Sequence, residues 1–199
     1  MSNKKHSLDM AEYLRTRLLC RPNHFLSREA SERRRLRRLR EFAGYVKNHS
    51  PYYRRVMEEH RIDPAVCTPE QFPVLTKTEL ILNFEDILTV RGISTRDVTE
   101  FLHKSTTPEE LFRDRYVVIH TSGSSGEIAL FLYDPKAWAR AMAHLSRAKG
   151  FTLFSRRRKK IGFIGATQGH FAGVTTASAV KSFPLSPLCA TAISLARSR

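Results

Sequence analysis

The sequence predicts an α/β fold built in layers, and three observations predict it. The runs Tyr116-Val117-Val118-Ile119 and Ile128-Ala129-Leu130-Phe131-Leu132-Tyr133 are β-prone and flank a loop of glycine and hydroxyl residues, which reads as strand, loop, strand. Asp134-Pro135 follows as an N-cap and first-turn pair; Trp138, Met142, Leu145 and Ala148 then mark one helical face, with Gly150 as the stop. The basic run Arg156–Lys160 leads into a further apolar strand, Ile161–Gly165. Strand, loop, strand, helix, strand is the beginning of a layered α/β domain, with Ile161–Gly165 expected to be buried.

Upstream of these elements the pattern is helical. A short helix is expected around Met10–Leu19. Ser27 is placed to cap a longer one, in which Leu36, Leu39, Ala43 and Val46 recur at helical spacing. Ser50-Pro51 breaks that helix, and Tyr52–His60 forms another that stops near Asp63-Pro64. Thr68-Pro69-Glu70 and Thr76-Lys77-Thr78-Glu79 look like helix starts, the second with an acidic residue three positions after Thr76. Residues 85–110 are mixed and polar, and only short elements are expected there.

Composition narrows the class. The chain has 199 residues, 41% hydrophobic and 10% aromatic, enough for one domain with a real core or for part of a larger one. No apolar run approaches the length of a bilayer span, and the first residues hold no signal-peptide core. Cys20, Cys67 and Cys189 are far apart, odd in number and without Cys-x-x-Cys spacing, which disfavours a disulfide framework or a zinc site and fits a reducing cytoplasm. Net charge is +15 but uneven: 15 basic against 7 acidic residues in 1–60, 7 against 10 in 61–120, and 12 against 2 in 121–199. Not one Asp or Glu occurs after Asp134. Such asymmetry marks either contact with nucleic acid or an anionic surface, or a fragment whose acidic complement lies elsewhere.

The chemistry is concentrated in His120-Thr121-Ser122-Gly123-Ser124-Ser125-Gly126-Glu127. Glycines permit close approach and positive φ, so such a loop can gather backbone N–H groups and hydroxyls around one anion. It is not a Walker A loop, because Glu127 rather than Lys follows Gly126; Gly-x-Gly-x-x-Gly and Gly-x-Ser-x-Gly are also absent. The clusters Arg33, Arg34, Arg35, Arg37, Arg38 and Arg40, and 156–160, read either as patches for phosphate backbones or as solvated faces with long stems over apolar neighbours. The second reading is favoured for the helix, since no aromatic residues interleave with its arginines.

The order Thr121-Ser122-Gly123-Ser124-Ser125-Gly126 resembles the phosphate-binding loop of the adenylate-forming (acyl-CoA synthetase-like) superfamily, most closely its phenylacetate-CoA ligase-like branch. Ser50-Pro51-Tyr52-Tyr53-Arg54-Arg55, Phe72-Pro73-Val74-Leu75-Thr76-Lys77-Thr78-Glu79-Leu80, and Ile161–Gly165 with Gly169-His170-Phe171-Ala172-Gly173 resemble further segments of that branch, in the same chain order. The resemblance covers roughly residues 45–180. It implies that Thr121–Gly126 wrap the β- and γ-phosphates of ATP, and that His170 lines the acyl pocket and helps position a carboxylate. Glu127 departs from the Lys that many members carry there.

The expected architecture is the N-terminal portion of the large layered domain of such an enzyme: a helical region at 1–50, a partial domain at 51–180, and a divergent, poorly packed tail at 181–199. The resemblance implies a small carboxylic acid as substrate, ATP with Mg²⁺, and coenzyme A or a carrier thiol as acceptor. The magnesium and ribose ligands and the lysine of a mobile C-terminal domain fall, in that family, after the portion seen here, so a separately encoded C-terminal half is an expected partner and the chain alone is expected to be inactive. The alternative is a basic, non-enzymatic protein that contacts nucleic acid or an anionic surface through its arginine clusters.

Overall fold

The computed structural model describes residues 8–19, 26–121, 127–148, 159–163, 169–181 and 190–194. Its elements in chain order are α1 (Met10–Leu19), α2 (Arg28–His49), α3 (Pro51–Glu59), a 3-10 turn (Pro69–Gln71), α4 (Lys77–Leu82), α5 (Phe84–Ile87), α6 (Thr95–Lys104), β1 (Val117–His120), β2 (Leu130–Tyr133), α7 (Pro135–Ala148), β3 (Lys159–Phe163), α8 (Ala172–Lys181) and β4 (Ala190–Ser194). The fold is mixed α/β and mostly helical. Its described strands form two two-stranded sheets, β1 with β2 antiparallel and β3 with β4 parallel. The chain divides into two compact units, residues 22–97 and residues 1–21 with 98–199.

The 22–97 unit is set by its caps. The Ser27 side chain accepts the Ala30 N–H at 3.2 Å and starts α2. Ser50, wholly buried, does three things at once: its N–H closes α2 on the Val46 carbonyl at 2.8 Å, its hydroxyl accepts the Tyr53 N–H at the start of α3, and it donates to the Asp86 carbonyl at 2.7 Å. Pro51 suits the first turn of α3, where no helical donor is needed. Ala43, Val46, Met57, Ile62 and Cys67 form the core between these helices, with Leu39, Tyr53 and Phe72 against it. Thr76 and Glu79 close a reciprocal capping box on α4: the Thr76 N–H donates to Oε2 of Glu79 at 2.8 Å and the Glu79 N–H to the Thr76 hydroxyl at 3.2 Å. The Thr76 N–H, then the Thr76 hydroxyl, hold the Glu79 carboxyl below its ordinary pKa. The stretch expected to hold only short elements contains α5 and the ten-residue α6.

In the other unit, α1 packs on α7 through residues more than 120 positions apart. The Tyr13 hydroxyl donates to Ser146 Oγ at 2.9 Å, and Nε of Arg140 to Oε1 of Glu12 at 2.6 Å. That guanidinium holds the Glu12 carboxyl below its usual range, against the opposing effect of burial. Asp134 caps α7 by accepting the Ala137 N–H at 2.7 Å. Trp138, Ala139, Met142 and Ala143 of α7 then meet Tyr13, Val117, Ile119 and Ala179 in the core. β1 and β2 pair in the register Val117↔Tyr133 to His120↔Leu130.

The third expected strand begins two residues early, as β3 at Lys159, and β4, in the 181–199 segment, pairs with β3 in the register Lys159↔Ala190 to Phe163↔Ser194. A parallel pairing of segments 31 residues apart leaves no local signature in sequence. The burial of residues 159–163 and the Gly150 stop lie outside the described residues. Among the described residues, no helix is long and apolar enough to cross a membrane.

Candidate functional site

The site lies in the 98–199 unit at the C-terminal end of β1. Thr121 and Ala129 close the hairpin in both directions: the Thr121 N–H donates to the Ala129 carbonyl and the Ala129 N–H to the Thr121 hydroxyl, each at 3.0 Å. Thr121 therefore pins the ends of the connection between the strands. Of the residues expected to hold phosphate, Ser122, Gly123, Ser124, Ser125 and Gly126 lie outside the described residues, whereas Thr121 and the exposed Glu127 flank them.

His170 is brought directly beside this strand end. The His120 N–H donates to the His170 carbonyl at 3.0 Å, and His120 and Phe171 form a parallel bridge. The turn depends on Gly169, whose φ is +74°. A Cβ at Gly169 would stand 3.7 Å from the Phe171 ring and 3.9 Å from Nε2 of His120, which is ordinary contact. The need for glycine is therefore one of backbone angle and not of space.

The two imidazoles are held differently. Nδ1 of His120 faces the Thr121 carbonyl at 2.9 Å, and a carbonyl can only accept, so Nδ1 carries the hydrogen. Its ring lies 4.3 Å from that of Phe171, centroid to centroid. His170 is only 1% exposed. Its Nε2 is 2.7 Å from the Ser105 hydroxyl, which itself donates to the Thr107 carbonyl at 3.1 Å. The arrangement that satisfies both contacts has Ser105 accepting from an Nε2–H. The Phe101 ring lies 5.2 Å from the His170 ring and 5.6 Å from the Phe112 ring, which closes the site on its apolar side.

Behind Ser105, Oε1 of the buried Glu110 accepts from the N–H groups of Thr106 and Thr107 (both 3.2 Å) and from the Thr106 hydroxyl at 2.9 Å. This carboxylate fixes the segment that carries Ser105. Sequence reasoning passed over Ser105 and Glu110, although Thr107-Pro108-Glu109-Glu110 has the Thr-x-x-Glu spacing of a capping box.

Among the described residues, no group of three or more His, Cys, Asp or Glu side chains could hold a metal ion. No protein-family model matches the chain, and no curated protein is significantly similar to it.

Proposed function

We propose that this chain carries the polyphosphate loop and part of the acyl pocket of an acid-activating, acyl-adenylate-forming enzyme of the phenylacetate-CoA ligase-like type. In that reaction a carboxylate oxygen attacks the α-phosphorus of ATP, the bond to pyrophosphate breaks, and the acyl group then passes to a thiol such as coenzyme A. The chemistry requires the phosphate holder and the acid holder to be neighbours, with reacting atoms about 3–3.5 Å apart. The observation that supports the reading is the adjacency of Thr121, where the glycine-rich loop departs, to the Gly169-His170-Phe171 turn, joined through the bond from the His120 N–H to the His170 carbonyl.

Within this reading Thr121–Gly126 offer backbone N–H groups and hydroxyls to the β- and γ-phosphates. His170, buried and bound to Ser105, acts as a positioning residue: it holds the turn that faces the acid. Residues 135–199 hold no carboxylate that could serve as a magnesium or ribose ligand.

Calorimetric titration of the chain with ATP tests the proposal. The wild type is expected to bind weakly and the double variant Gly123→Val/Gly126→Val not at all, because added Cβ branches restrict the angles that let N–H groups converge on an anion. Failure of the wild type to bind, or equal binding by the variant, would overturn the reading.

A further inference from the structure

The solvent face of α2 combines cations with aromatic rings. Leu39, Ala43 and Val46 turn into the core of the 22–97 unit. About 100° around the helix from that face Arg38, Phe42, Tyr45 and His49 follow at i, i+4, i+7 and i+11, which at 3.6 residues per turn is one stripe about 16 Å long. Along the chain the aromatic residues come after the arginines, so they do not interleave; around the helix they share a face. Phe42 is 57% exposed and Tyr45 49%. The Tyr45 and His49 rings are stacked at 4.2 Å and 20°, and Nδ1 of His49 is bonded to the Tyr45 carbonyl at 2.8 Å, which fixes the pair as a platform.

The arginines of this helix are not equivalent. Arg35 is held by Glu32 at 2.6 Å, and Arg40 donates to the carbonyls of Cys67 and Val66 at 3.3 Å, so both serve the fold. Arg33 and Arg38 are exposed and have no carboxylate within 4.0 Å among the described residues, while Arg37 reaches Glu41 only at 3.8 Å with both side chains open to water. Such a pair contributes little and exchanges readily.

We propose that this stripe binds single-stranded nucleic acid, with Arg38 on a phosphate and Phe42 and Tyr45 under unstacked bases. A guanidinium beside exposed rings matches a ligand that alternates negative charge with flat π-faces. A duplex hides those faces. A lipid surface would need an apolar face free to enter it, and the apolar face of α2 is already packed in its own unit. This proposal is independent of the acid-activation reading.

Fluorescence anisotropy of the full chain with a labelled oligouridylate, and with the matching duplex, at about 50 and 200 mM salt decides it. The wild type is expected to prefer the single strand. Phe42→Ala/Tyr45→Ala should weaken binding about tenfold or more at both salt concentrations, whereas Arg38→Gln should lower the salt slope by about one. Arg35→Gln should change little. Circular dichroism should show all variants folded, since every substituted side chain is exposed. No binding of the single strand, equal binding of the duplex, insensitivity to the aromatic changes, or binding of anionic vesicles instead of the oligonucleotide would each overturn the proposal.

Discussion

Replacing Trp138 with alanine is expected to lower the stability of the unit formed by 1–21 and 98–199 by about 3–5 kcal/mol. Trp138 is the largest of the fully buried side chains and is 2% exposed. It stands in α7 where that helix meets β1, β2 and α1, with its ring edge-on to Tyr133 at 5.5 Å. Truncation removes the apolar transfer energy of the indole and leaves a void that Ala139, Ala143 and Ala179, all already small, have no side-chain length to fill. Urea unfolding followed by circular dichroism measures the loss, and hydrogen exchange of β1 and α7 amides assigns it to this unit. Trp138→Phe should recover more than half of it. A loss below about 1 kcal/mol would mean that α7 is not the keystone of this core.

The second large effect is expected at His170. His170→Ala should cost about 3 kcal/mol through the cavity it leaves, with part of the cost from the Ser105 hydroxyl deprived of its donor. Ser105→Ala removes the bond but little volume and should cost about 1 kcal/mol. Trp138, the one tryptophan of the sequence, reports both unfolding curves. If His170→Ala leaves stability unchanged, the imidazole is not a support of the turn, and its role as a positioning residue fails with it.

Local chemistry made much of the fold legible in the sequence. Ser27, Thr76 with Glu79, and Asp134 all cap helices as their side chains suggest, because a cap is an interaction over three residues and needs nothing distant. Helix α1 begins and ends at Met10 and Leu19, and α2 and α3 meet at the Ser50-Pro51 break. What stayed hidden is long-range. The Arg140–Glu12 and Tyr13–Ser146 contacts span 128 and 133 positions, and the pairing of β4 with β3 depends on a neighbour rather than on its own residues.

The site divides in the same way. The glycine-rich composition of 121–126 was visible as a candidate anion loop, and the structure brings its first residue, Thr121, beside the His170 turn. Ser105 was not legible as the partner of His170, because nothing near position 105 encodes a contact 65 residues on. The arginine run misled in one respect: linear adjacency concealed that Phe42 and Tyr45 share a helical face with Arg38, which only the 3.6-residue period discloses.

The central claim, that 121–126 is a polyphosphate site, is tested most directly by amide-resolved NMR of the isotopically labelled chain during titration with ATP. The expected result is saturable shifts concentrated at Thr121–Glu127 and at the adjoining amides of Gly169–Phe171. Shifts confined to the arginines of α2, or no saturable shift in 121–127, would contradict it.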